Sequence, residues 1–176
     1  KKTDTVAVGP GLGGHPETLK TVEYIITKCV KNNKNLVIDA DAIQAVGNNP
    51  SIIKNSKTVL TPHAGEFKKL TGINLSYDID QRTNEVKKWA NEYNVTIFLK
   101  GPVDIITNGN QIKYNDIHNP SMTVGGTGDV LTGILAALLS KNMSPFNASR
   151  TAAFINGEAG NLAFEKKSYG VLPTDL

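Results

Sequence analysis

Thr5-Val6-Ala7-Val8, Gly9-Pro10-Gly11-Leu12-Gly13-Gly14, a longer stretch from Pro16 to about Lys31, and Leu36-Val37-Ile38-Asp39 follow one another near the start of the chain, and their reading decides the fold. The first and last pieces are apolar runs of strand length. Between them Leu19, Val22, Ile25, Ile26, Cys29 and Val30 recur three and four residues apart, the spacing that lays one apolar stripe along a helix. Strand, helix and strand in that order give two parallel strands joined by a crossover. Parallel strands in turn need helices over both faces of their sheet.

The alternation continues along the chain. Asp41 stands where a helix N-cap belongs, ahead of Ala42, Ile43 and Val46. Thr58 to Leu60 reads as a third strand, followed by Thr61-Pro62-His63-Ala64-Gly65-Glu66 and a short helix whose Phe67 and Leu70 share a face and which Gly72 closes. About Asp80 to Tyr93 is helical, with Val86, Trp89, Ala90 and Tyr93 on one side, which makes Trp89 a core residue rather than a ligand platform. Val95 to Leu99 is a fourth strand. Asp104 to Thr107 and Ile112 to Tyr114 form a hairpin around Asn108-Gly109, expected at the sheet edge. Two helices, about Thr127 to Leu139 and Pro145 to Glu165, complete the set.

Composition bounds the function. The 176 residues carry 19 Lys and Arg against 16 Asp and Glu, a formal charge of +3 with acids and bases interleaved and no basic block. Phosphate-bearing small molecules suit that balance better than nucleic acid. The length supports one core and therefore one domain over 1–176. Cys29 is the only cysteine, so no internal disulfide framework or cysteine-based zinc site exists, and a reducing compartment fits. Cys29 itself reads as a small core residue. No apolar run approaches a membrane span, and Lys1-Lys2-Thr3-Asp4 lacks a signal-peptide core, so the expectation is a cytoplasmic protein without membrane contact. The sequence opens directly on a strand and stops at Leu176, which reads as part of a larger domain.

Three segments carry chemistry. Gly9 to Gly14 satisfies G-x-G-x-x-G between a strand and a helix, with Asp39 ending the next strand, as in a dinucleotide-binding fingerprint. Against it, Pro10 removes an amide that a pyrophosphate would use, and Pro16 puts the helix start beyond the third glycine. A ligand-binding loop and a plain turn needing positive φ both stay open. Gly125-Gly126-Thr127-Gly128-Asp129 bares glycine amides at a helix start, where the dipole already favours an anion. A transferring phosphoryl group suits that place. Asp129 could take the proton from a hydroxyl attacking it, or could merely complement the dipole.

No G-x-x-x-x-G-K-[ST] occurs, which excludes the P-loop mechanism. Lys100, at a strand end ahead of Gly101, either reaches a nucleotide across the sheet's carboxyl edge or is a solvated strand end. His63 and Glu66 are an incomplete metal pair: Glu66 is an acid that holds Mg²⁺ through water, or a first-turn acid and nothing more. His15 and His118 lie in loops without partners and receive no role.

Four motifs in order, Ala7-Val8-Gly9-Pro10-Gly11-Leu12-Gly13, Val37-Ile38-Asp39-Ala40-Asp41-Ala42, Leu60-Thr61-Pro62-His63-Ala64-Gly65-Glu66-Phe67 and Gly125 through Leu131, resemble the ADP/ATP-dependent NAD(P)H-hydrate dehydratases, and the likeness runs from Val6 to Leu176. The resemblance implies a ribokinase-like α/β/α sandwich with a mostly parallel sheet, incomplete here at the N-terminus because that family has further elements before the Gly9 loop. It implies a lyase that repairs hydrated NADH and NADPH with ADP or ATP as co-substrate and Mg²⁺. Asp129 would deprotonate the ring hydroxyl, which attacks the terminal phosphate, and loss of phosphate restores the nicotinamide.

By the same likeness Gly125, Gly126 and Gly128 form the anion hole, with Thr127 and Gly128 also at the nucleotide. Lys100, Gly101 and Asp104 line the adenylate site, although Pro102-Val103 departs from the small residues often found there. His63, Gly11 and Gly13, with Asp129, contact the hydrated dinucleotide. Sugar and vitamin kinases of the wider superfamily carry Asn-x-x-Glu where this chain has His63-Ala64-Gly65-Glu66, which favours the dehydratase branch and keeps Glu66 as the organiser of water-bound Mg²⁺. The partners expected are the hydrated dinucleotide and either a second copy of the chain or a second chain that completes the domain. Two other functions stay open: a kinase of a small hydroxylated vitamin precursor, and a non-catalytic dinucleotide-binding module built on Gly9 to Gly14 and Asp39.

Overall fold

A computed structural model describes residues 4–176; Lys1 to Thr3, part of the start judged above for a signal peptide, lie outside them. Six strands form one sheet in the spatial order of the chain: β1 (Thr5–Val8), β2 (Asn35–Ile38), β3 (Thr58–Leu60), β4 (Thr96–Leu99), β5 (Asp104–Thr107) and β6 (Ile112–Asn115). The first four are parallel and the last two form an antiparallel hairpin on the β4 side, as the sequence led us to expect.

Side chains alternate across the sheet because successive strand residues point to opposite faces. Leu36, Ile38, Leu60, Ile97, Leu99 and Ile105 face one core, closed by α1 (Pro16–Lys31), α2 (Asp41–Asn48), α3 (Ala64–Thr71) and α4 (Ile79–Tyr93). Val37, Val59, Phe98 and Ile106 face the other, closed by α5 (Thr127–Ser140) and α6 (Pro145–Lys167). All ten side chains are buried, each worth about 1.5–3 kcal/mol of transfer free energy. The result is the three-layer α/β/α sandwich read from the sequence.

Several details differ from the sequence reading. Ile25 is exposed, because Leu19, Val22 and Ile26 already fill the inward stripe of α1. Cys29 is half-buried against the same core, and burial pushes its thiol above the ordinary range. Asp41 does not cap its own helix: it is the first helical residue, and its carboxylate instead accepts the Gly13 amide at 2.8 Å. His15 does have a partner, accepting the Glu17 amide as the N-cap of α1. Short 3₁₀ turns at Pro50–Ile53, Pro120–Met122, Ser168–Gly170 and Pro173–Asp175 were not foreseen.

Candidate functional site

The carboxyl ends of β1 to β4 and the start of β5 lie along one edge of the sheet, and the helices that follow them begin there. Such an edge is where open α/β sheets bind ligands. At the end of β3 the chain extends through Pro62 to His63, whose bridge to Lys100 prolongs the β3–β4 pairing, with the Lys100 amide donating to the Pro62 carbonyl at 2.8 Å. His63 caps α3: its Nδ1 accepts the amides of Gly65 and Glu66, and Glu66 Oε2 in turn accepts the His63 amide at 2.9 Å. The His-x-x-Glu spacing is thus a capping box, with histidine in the place more often taken by serine or threonine.

Lys100 extends from β4 into an ion pair with Asp39, Nζ to Oδ1 at 2.8 Å, and passes Glu66 Oε2 at 3.7 Å. Asp39 is 1% exposed, and its second oxygen accepts the Thr132 hydroxyl of α5 at 2.9 Å. The dinucleotide-module alternative rests on Gly9 to Gly14 and Asp39; with both Asp39 oxygens matched inside the protein, that carboxylate is not left free for a ligand. The backbone around Asp39 is tightly set. A side chain at Gly9 would collide with the Asp39 carbonyl, and Ala40 adopts φ 46° and ψ −125°, a conformation costing roughly 1–3 kcal/mol for a residue with a Cβ.

Across the edge stands the start of α5. Gly126 is its N-cap at φ 102°, a value only glycine takes freely. The Thr127 hydroxyl donates to the carbonyls of Met122 and Val124 and so folds the turn at the cleft wall. The amides of Thr127 and Asp129 bond back to Val124 and Gly126. Those of Gly125, Gly126 and Gly128 meet no acceptor among the described residues, which leaves three donors at the positive end of a helix. Pro173 packs on Gly126 from the side a Cβ would occupy; such a Cβ would lie 2.8 Å from Pro173 Cγ. Asp129 is exposed and its carboxylate has no hydrogen-bond partner among the described residues.

A cleft of about 830 Å³ runs along this edge, lined by His63, Lys100, Gly101 and Asp104 on one side and Gly125, Thr127 and Gly128 on the other. A smaller pocket of about 90 Å³ continues inward beneath it, between Phe98, Leu131 and Ala153, with Asn115 and Asn156 as polar walls. The structure therefore brings together seven of the residues picked from the sequence. Gly126 and Asp129 adjoin the lining without joining it, and Glu66 sits behind Lys100. Gly11 and Gly13 lie off the cleft, beyond the end of β1 at the far side of the sheet.

Asp104 is 7% exposed, its carboxylate accepting the Gly101 amide at 3.1 Å and the Asn115 amide group at 3.0 Å. Burial raises its carboxyl above the usual range, against those hydrogen bonds and the charges of His118 and Lys100. His118, given no role earlier, contacts the Pro102 carbonyl at 3.1 Å through Nε2 and lines the cleft. Its partner lies 16 residues away, and no local pattern announces it. Asp39 and Lys100 were legible in principle as opposite charges at the carboxyl ends of two strands of one sheet; Asn115 and Asn156 carried no signal.

Comparison with known proteins gives the site a context. The sequence model for NAD(P)H-hydrate dehydratase matches residues 1–176. A bifunctional NAD(P)H-hydrate repair enzyme Nnr from Hyperthermus butylicus is 42% identical over 99% of the chain and 33% of its own length. An ADP-dependent (S)-NAD(P)H-hydrate dehydratase from Cenarchaeum symbiosum is 38% identical over 98% of the chain and 59% of its own. Among solved structures, the ADP/ATP-dependent NAD(P)H-hydrate dehydratase from Bacillus subtilis, co-crystallised with ATP and Mg²⁺ and soaked with CoA, superposes with a TM-score of 0.76 at 26% identity, over 96% of this chain and 60% of that one. The chain thus spans a third to three fifths of the length of these relatives.

Proposed function

The chain belongs to the NAD(P)H-hydrate dehydratase family, and from that premise we propose that it carries out nucleotide-dependent dehydration of hydrated NADH and NADPH. The observation that carries this reading is the set of amides at Gly125, Gly126 and Gly128 and the carboxylate of Asp129, all without a partner among the described residues, with the Lys100 ammonium beside Gly128. Donors fixed in advance at the place where charge develops are what a phosphoryl transfer asks of a protein.

Asp129 takes the proton of the ring hydroxyl, and the oxygen attacks the terminal phosphorus of the bound nucleotide. The bond to the bridging oxygen breaks, leaving the shortened nucleotide. The new phosphate ester then departs as phosphate while the adjacent ring carbon gives up a proton, which restores the nicotinamide double bond. Lys100 and the glycine amides hold the phosphate oxygens throughout; Gly101 and Asp104 border the remainder of the nucleotide. His63 at the cleft, with Gly11 and Gly13 beyond the end of β1, holds the dinucleotide.

Among the described residues no three His, Cys, Asp or Glu side chains converge on a common point, so a divalent cation here has to arrive with phosphate and water as its main ligands. Glu66 fits that arrangement, since its carboxylate keeps 14% of its surface and lies at the cleft behind Lys100, where it would hydrogen-bond a water of the ion. When bound, Mg²⁺ would neutralise charge on the phosphates.

The decisive assay supplies the full-length protein with hydrated NADH, Mg²⁺ and either ADP or ATP. The expected result is recovery of NADH absorbance with one phosphate released per dinucleotide. Absence of recovery with both nucleotides rejects the proposal, and accumulation of a stable phosphate ester would assign the protein to the kinases instead.

A further inference from the structure

Asp39 has no part in the chemistry derived so far, yet it is the most constrained acid of the edge. Its carboxylate ties three elements together: the end of β2 on which it stands, Lys100 from β4, and Thr132 from the second turn of α5. Its backbone cannot shift, because Gly9 closes on its carbonyl and Ala40 leaves it at a positive φ. The ammonium it holds stands against Gly128: a Cβ there would lie 3.6 Å from Lys100 Nζ and 3.9 Å from Asp39 Oδ2. Only bare backbone therefore separates the lysine's charge from the first turn of α5.

A free lysine is a flexible four-carbon stem with three rotatable donors. With one donor fixed by a buried carboxylate, the other two acquire a direction. We propose that Asp39 is a positioning residue for phosphoryl transfer: through its ion pair it aims the Lys100 ammonium at the terminal phosphate bound by the first turn of α5, and Thr132 fixes the plane of the carboxylate that does the aiming. This rests on the nucleotide-dependent reading above and adds the group that orients its lysine. Charge alone predicts the opposite effect. A buried anion near an incoming phosphate repels it, so an Asp39 acting only through its charge would weaken binding and its removal would tighten it, with turnover preserved.

A double-substitution cycle in the full-length protein, read by NADH recovery, separates these. Asp39→Asn is expected to lower kcat about ten- to a hundredfold while the KM for nucleotide stays level or falls. Thr132→Val, which keeps both charges and tests the proposal even if Asp39→Asn folds poorly, is expected to lower kcat several-fold. In a Lys100→Met background, Asp39→Asn is expected to change kcat by less than about twofold, since nothing is left to orient. Losses that multiply in the double variant, or an Asp39→Asn protein with unchanged kcat, overturn the proposal.

A second readout does not depend on turnover. In nitrogen-labelled protein the sheltered Lys100 ammonium is expected to give its own resonance, to move on addition of Mg²⁺ and ADP, and to disappear in Asp39→Asn. A resonance indifferent to nucleotide, or one that survives the substitution, overturns the positioning role. Failure of the unsubstituted protein to recover NADH would overturn the dehydratase reading instead, and the ammonium signal would still decide the part played by Asp39.

Discussion

Asp104 lines the cleft and Asp129 adjoins it, and the two show how environment sets identical side chains apart. Asp129 lies in the first turn of α5, exposed and without a hydrogen-bond partner among the described residues, as the proposed general base requires. Asp129→Asn should reduce NADH recovery by about two to four orders of magnitude, the range of a lost general base, with nucleotide affinity by calorimetry nearly unchanged. Asp104 is buried at the cleft wall, its carboxylate engaged by Gly101 and Asn115. Its carboxyl is raised by desolvation, so between about pH 3.9, the value of a free Asp, and its own higher value the folded state holds more proton than the unfolded one. Stability should therefore fall as pH rises through that window and level off above it. Urea melts across the window should show this step in the natural protein and not in Asp104→Asn, whose amide cannot ionise and which Asn115 can meet by turning its own. At this scale the sequence spoke clearly only where chemistry and local motif coincide. Gly125 to Asp129 announced bare amides at a helix start by composition, whereas Asp39 needed its neighbour across the sheet, and His118 needed a loop closure that no spacing encodes.

Elements were more legible than residues, because periodicity is a local property. The strand and helix order came through, including the hairpin at the edge and Gly72 as a left-handed helix stop. Close helix packing did not. Helix α6 presses against the segment that walls the cleft so tightly that a Cβ at Gly157 would collide with the Ile117 carbonyl, and one at Gly160 with the Met122 side chain. The two contacts differ in kind, since backbone cannot yield and a thioether can swing aside. Gly157→Ala should cost about 1–3 kcal/mol or more in denaturant melts and raise the KM for nucleotide, because relief comes only by pushing the cleft wall outward. Gly160→Ala should cost clearly less. Equal effects would show that the wall is not held by α6 at Gly157.

Across the whole molecule, one sheet edge collects the ends of strands that are distant in sequence, and nucleotide bound there should stabilise every layer at once. At about a hundredfold excess over its Kd, a ligand specific to the folded state adds about 2.7 kcal/mol. At roughly 2–4 °C per kcal/mol for a chain of this size, Mg²⁺ with ADP or ATP should raise Tm by roughly 5–10 °C, and Asp129→Asn should keep that rise. No rise with either nucleotide would remove the cleft as a nucleotide site. The hairpin of β5 and β6 has the reverse placement: Asp104 opens it at the cleft, and its turn, where Asn110 and Gln111 are exposed, projects from the opposite rim of the sheet. A dye, tether or short peptide tag grafted at Asn110 would ride on the same rigid frame as the reacting groups while standing a full strand length from them. That rim is the natural handle for immobilising or labelling the protein without disturbing turnover.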